Sequence, residues 1–189
     1  MKTSLILFFS LFMANVCVGQ MRPIIIIFKT GDTIRGVGKM RLKSVKYKDV
    51  LNEREAEEFE FSKIELVKLV IPQNKSVNYR FFQTKDDSRF IAVEEVVASG
   101  EVTLFTTTEN SANPYSSSGM SGIKYYLKRK NEETITNLGP YSPLMNNLKD
   151  KVKEYFADCS KLIRKIERGD FRVRRGLTEM VEFYNKECN

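Results

Sequence analysis

Between positions 161 and 175 the chain carries Lys161, Arg164, Lys165, Arg168, Arg172, Arg174 and Arg175, opposed there only by Glu167 and Asp170. Guanidinium groups suit planar, bidentate contacts with carboxylates and phosphates, so this stretch is the candidate anion-binding segment. The plainer reading is the solvated face of a helix and its loop. Aromatic and basic residues also interleave at Tyr79-Arg80-Phe81-Phe82 and at Tyr125-Tyr126-Leu127-Lys128-Arg129. On strands such residues form half core and half cover more often than a stacking platform for bases or sugars. Tyr125 and Tyr126 are the candidate surface aromatics.

Catalytic chemistry is narrowed by what is missing. The chain has no histidine, which removes the commonest general base, Ser-His and Cys-His nucleophiles, and most zinc or copper sites. Ser121-Gly122-Ile123-Lys124 matches S-x-x-K and Lys29-Thr30-Gly31 matches K-T-G, but the order is inverted, the S-D-N element is absent and S-x-x-K runs into a strand. Gly31 to Met40 departs from a phosphate loop at Val37, where Lys is required. Glu94 and Glu95 are adjacent, so on a strand they point to opposite faces. The acidic run Glu53 to Glu60 lacks calcium-loop spacing and is expected to pair across strands with Lys43, Lys46 and Lys48. No catalytic residue, metal or cofactor follows from these motifs. The expected role is a non-enzymatic binding or structural module. The alternative is a carboxylate-based enzyme acting on envelope glycans, which requires two acids roughly 5 to 10 Å apart in a cleft.

The N-terminus sets the compartment. Lys2, an apolar run from Leu5 to about Val18 and small Gly19 read as a secretory signal peptide over 1–19, too short for a transmembrane span. A lipoprotein leader with Cys17 as the modified residue is the competing reading, with bulky Val16 against it; it would give outer-membrane association. Cleavage removes one of the 31 basic residues and none of the 24 acidic ones, leaving 30 − 24 = +6 on the side chains. A basic, secreted or periplasmic protein ordinarily has an uncommitted solvated surface; otherwise the charge favours an anionic partner: envelope polysaccharide, lipid headgroups or an acidic protein. Nucleic acid is seldom met there. The two remaining cysteines, Cys159 and Cys188, are an even pair in an oxidising compartment and read as one disulfide.

The elements that position these residues are legible from periodicity. From Pro23 to about Gly139 apolar residues alternate with period two between turn residues, an antiparallel β pattern. Strands are predicted near Ile24–Phe28, from Thr33, at Ser44–Val50, Glu58–Ile71 with a break at Ser62-Lys63, Val77–Thr84, Phe90–Val97, Val102–Thr108, Ile123–Lys130 and Thr134–Leu138. The continuous run Ile24 to Phe28 suits a strand covered on both faces. Residues 110–122 are Ser- and Gly-rich and predict a mobile loop or hairpin tip. Ser142-Pro143 signals a helix start. Beyond it Leu144, Leu148, Val152 and Tyr155 or Phe156 share one helical face, Leu162, Ile163 and Ile166 a second, and Leu177, Met180, Val181, Tyr184 and Cys188 a third. Asp158 is placed to cap the second helix and Gly169 to end it. If the last two helices fold back on each other, Cys159 and Cys188 meet at one end of the pair.

Two groups of segments are familiar. "FKTGDTIRGVGKM" with "FEFSKIELVKLV" resembles the N-terminal β unit of small exported proteins of Gram-negative bacteria for which no reaction is assigned. "YYLKRKNEETITNLG", "FADCSKLIRKIERGDF" and "MVEFYNKEC" resemble their C-terminal part, although Ser160 stands where those proteins often have Pro. The resemblance implies a periplasmic or surface location and supplies no catalytic residues. The expected fold is α+β: an antiparallel β-roll or small barrel over 20–140, then a disulfide-closed helical segment of about three helices over 141–189.

Overall fold

The computed structural model describes residues 21–51, 55–71, 75–98, 100–108, 123–140, 147–173 and 176–188. The chain runs β1 (Arg22–Phe28), β2 (Thr33–Met40), β3 (Ser44–Lys48), β4 (Glu57–Glu60), a 3-10 turn (Phe61–Lys63), β5 (Ile64–Ile71), β6 (Lys75–Thr84), β7 (Asp87–Val97), β8 (Val102–Thr108), β9 (Ile123–Arg129) and β10 (Thr136–Pro140). Three helices follow: α1 (Leu148–Tyr155), α2 (Ser160–Arg168) and α3 (Thr178–Glu187). The predicted leader, Cys17, the 110–122 segment and Ser142-Pro143 lie outside the described residues.

All ten strands form one sheet in the order β10-β9-β8-β7-β6-β5-β1-β2-β3-β4, and every neighbouring pair is antiparallel. The single departure from sequence order is at β5, which lies beside β1 because the 3-10 turn carries the chain back from β4. The predicted break at Ser62-Lys63 is this turn. The sheet is a roll with two free edges, β4 and β10, and does not close into a barrel.

The sheet buries one face in both halves and the other face in the second. On what we call the front, Ile24 and Ile26 of β1 face Leu69 and Val67 of β5, and they cluster with Val45, Tyr47, Phe61 and Phe81. The 3-10 turn completes this core by stacking Phe61 on Phe81, ring centroids 4.4 Å apart. Gly36 is needed here: a side chain would meet the Tyr47 ring at 2.7 Å. On the back, Val93, Phe105, Tyr126 and Ile135 form a second core with Phe82 and Ile91 against it. An isolated parallel bridge between Thr84 and Ile135 draws the β10 end toward β6, through Lys85 N donating to Ile135 O (3.2 Å) and Ile135 N to Gln83 O (3.0 Å). Successive residues of β6 therefore serve different cores, Phe81 the front one and Phe82 the back one.

The helices cover the front of β7 to β10. Leu148, Val152, Phe156, Leu162, Ile166, Leu177 and Met180 merge with Val97, Val102, Leu104, Leu127 and Leu138 into one core. The three apolar faces predicted from spacing are thus turned onto the sheet, so the helices are a cap and not a free-standing appendage. Gly169 ends α2 in the left-handed conformation (φ 81°). Asp158 does not cap α2. Cys159 occupies that position, its Sγ accepting from Leu162 N at 3.4 Å, because the Asp158 carboxylate is engaged elsewhere.

Candidate functional site

Cys159 and Cys188 are joined by a disulfide, with Cα atoms 5.7 Å apart across a separation of 29 residues. A loop of that size constrains the unfolded chain by roughly 3 to 4 kcal/mol on the entropy model. The bond ties the start of α2 to the end of α3, so the basic stretch sits on a clamped helix.

Along α2 the side chains of Lys161, Arg164 and Arg168 are exposed, as is Arg172 just beyond it. Positions i, i+3 and i+7 place the first three on one side of the helix, stepping about 4.5 and 6 Å along the axis. None of the four makes an ion pair with another described residue. Lys165 differs: its ammonium lies 5.4 Å from the Phe183 ring and 5.8 Å from the Phe171 ring, and 3.6 Å from the Asp170 carboxylate. Half-buried and already partnered, it belongs to the packing of the cap. Glu167 is held by Lys153 of α1 at 2.8 Å. Arg174 and Arg175 lie outside the described residues.

Tyr126 is not a surface aromatic. It is 5% exposed, because β9 is covered on both faces and Tyr126 lies opposite Phe105 in the back core. Tyr125 is half-buried against the front core under the helices, and burial raises its phenol above the ordinary value. Neither offers an open ring as a stacking platform.

The densest polar cluster is one that composition does not mark. Arg129, at the end of β9, reaches under the cap and donates to Tyr184 Oη (2.6 Å), Tyr155 O (3.0 Å) and Asp158 Oδ1 (3.2 Å). Tyr184 Oη in turn donates to Asp158 Oδ2 at 2.6 Å. The guanidinium also lies 5.2 and 5.4 Å from the Tyr155 and Tyr184 ring centroids. Burial opposes the charge on Arg129, but its bonds to Tyr184 and Asp158 prevail and raise its pKa. Burial likewise pushes the Asp158 carboxyl up, while the bonds from Tyr184 and Arg129 outweigh it and hold the group below the carboxylate range. Burial also pushes Tyr155 up. Arg129, Tyr184 and Asp158 are each bonded to the other two, which makes the cluster a clasp between sheet and helices.

Asn185 makes a second clasp. Its side-chain amide pairs with the backbone of Val102 as a strand would, Oδ1 accepting from Val102 N (2.8 Å) and Nδ2 donating to Val102 O (2.7 Å). Phe183, Tyr184, Asn185 and Cys188 of "FYNKEC" thus each hold the cap in place. Apart from the cysteine pair, no sequence pattern announces these contacts: Asp158 lies 26 residues from Tyr184, Arg129 55 from Tyr184 and Val102 83 from Asn185.

Among the described residues no aspartate or glutamate is buried. Among the described residues Ser44 is the only polar or charged one in the buried class. A cleft of about 630 Å³ at the end of the first half has Phe28, Ile34 and Phe59 as its floor, and Asp32, Asp49 and Glu57 with Lys29 and Lys63 at its rim. Asp32 and Glu57 are exposed, not desolvated as a general acid requires. Glu95 points to the back and is held by Arg80 at 2.5 Å, while Glu94 lies on the front opposite Tyr79. The register sets Lys46 across from Glu58, yet the Glu58 carboxylate accepts from the Ser44 hydroxyl. No three Asp, Glu or Cys side chains converge on a common metal position among the described residues, and none of the described helices is long and apolar enough to cross a membrane.

No protein-family model, curated protein or solved structure matches this chain.

Proposed function

We propose that the chain is a non-enzymatic binding module of the bacterial envelope, secreted or periplasmic, whose helical cap docks an anionic polysaccharide. The observation that carries this reading is the row Lys161, Arg164 and Arg168, exposed and without an acidic partner among the described residues, on a helix clamped at its start by Cys159. Cations repeated at intervals of about 5 Å on a rigid rod match a polymer with a regularly repeated charge. No exposed apolar residue interrupts the row, so it offers nothing to an apolar ligand. Pre-ordering of the helix lowers the entropy lost on docking.

The test is retention on an immobilised anionic polysaccharide. The native protein is expected to bind at low salt and to elute as salt rises, because the contacts are charge contacts exposed to screening. The variant K161E/R164E/R168E, altered only at exposed positions, is expected to flow through. Co-elution of this variant with the native protein would refute the assignment.

A further inference from the structure

From the open back of the first half of the sheet, we infer that this face is a docking surface for an anionic lipid bilayer. Strand β1 is apolar on both sides, as in strands covered on both faces. Ile24 and Ile26 fill the front core, while Ile25 and Ile27 point to the back and stay partly exposed. The helices lie on the front, over β7, β8 and β10, so they do not cover these residues. Leu66 of β5, opposite Ile27, extends the same apolar strip.

Cations surround the strip. Ile25 lies between Arg35 of β2 and Lys68 of β5, and Lys39 stands directly opposite Lys46. Like charges facing across a strand pair destabilise the sheet, and Glu58, which flanks Lys46 on its other side, has its carboxylate engaged by the Ser44 hydroxyl. Neither these four residues nor Lys48 forms an ion pair with another described residue. Of the acids on this side, Glu65 and Glu95 are both held by Arg80, and Glu58 and Glu60 lie on the edge strand β4, three strands from the β1 strip.

This combination selects the occupant. A second copy docked through the same face would set cations against cations. A soluble polyanion would leave Ile25, Ile27 and Leu66 in water. A surface of anionic headgroups over acyl chains satisfies both, since basic residues near such a surface each strengthen binding about fivefold and apolar patches ringed by polar residues mark interaction sites.

The experiment is co-sedimentation of the native protein with phosphatidylglycerol/phosphatidylcholine vesicles and with pure phosphatidylcholine vesicles. Binding only to the anionic vesicles is expected. R35E/K68E, changed at exposed positions and checked for an unaltered thermal melt, should bind at least about 25-fold more weakly, fivefold for each charge. I25T/I27T should weaken binding without altering retention on polysaccharide. R164E/R168E, on the helical cap, should sediment like the native protein. Absence of the native protein from the anionic pellet, or equal binding by R35E/K68E, would overturn the inference. Polysaccharide retention without vesicle binding would leave the proposed function standing alone, and vesicle binding without retention would leave only this one.

Discussion

The two halves of the sheet solve the same burial problem in different ways. The first half, β1 to β6, wraps its front around one core whose buried members all come from its own strands and the 3-10 turn, with Phe90 and Ala92 of β7 packed at its margin. Its back stays open. The second half, β7 to β10, buries both faces, with Phe105 and Tyr126 behind and Leu104 and Leu127 in front under the helices. It therefore depends on long-range devices that the first half does without: the disulfide, the Arg129 cluster and the Asn185 bridge. A region whose core is its own is expected to open last, and one whose cover is clasped on from outside is expected to open first.

The sharpest contrast comes from neighbours in β6. Phe81→Ala removes a ring that is 3% exposed from the front core and should cost about 3 to 5 kcal/mol. Phe82→Ala trims a partly exposed ring and should cost about half as much. Hydrogen exchange should show the first change loosening β1 and β5 and the second loosening β8 and β9; identical exchange patterns would mean that the two cores are one. Replacing Cys159 and Cys188 together by Ala should cost roughly 3 to 4 kcal/mol, with α2 and α3 losing protection before β1. Intact-mass analysis under alkylation checks the bond itself, and two modifiable thiols in native material would contradict it. Arg129→Met removes the guanidinium donor from Tyr184 Oη and Asp158 Oδ1 and should cost about 1 to 3 kcal/mol in urea unfolding. Asn185→Ala, which orphans the buried Val102 amide, belongs in the same range.

Acid should separate the halves more gently. The Asp158 and Glu132 carboxyls sit below their ordinary values of 3.8 and 4.5 in the fold. For Glu132, burial pushes upward but bonds from Lys85 and the Arg129 backbone prevail. A depressed folded pKa means that the stabilisation is complete above the unfolded value and disappears as pH falls through the folded one. Melting followed from pH 6 to about pH 3 should therefore show the cap weakening below about 4.5. Asp158→Asn should flatten part of that slope; an unchanged slope would remove Asp158 from the clasp.

Much of the fold is legible in the chain because strands and helices advertise themselves locally. Alternation marks β6 to β9, Gly169 ends α2, and spacing brings Cys159 and Cys188 to one end of the cap. What local pattern hides is which faces end up covered. Tyr126 sits between Lys124 and Lys128 in the polar row of β9, so alternation alone gives it to solvent, whereas the roll brings Phe105 and Ile135 over it. Asp158 has the right position and chemistry for a helix cap, but Arg129 and Tyr184 claim its carboxylate. The basic stretch is legible as charge, while the fate of Lys165 depends on Phe183 folding back beside it. The facing of Lys39 and Lys46 needs the β2–β3 register, which no single segment encodes.

The adjacency of Phe81 and Phe82 makes β6 a shared wall. Inserting one residue ahead of Phe81 would turn each ring outward from its own hearth, emptying both rooms together. Length in this strand is therefore a quantity held in common by two interiors, one from each half of the sheet, and an added residue is tolerated more cheaply in a surface turn than at the partition between them.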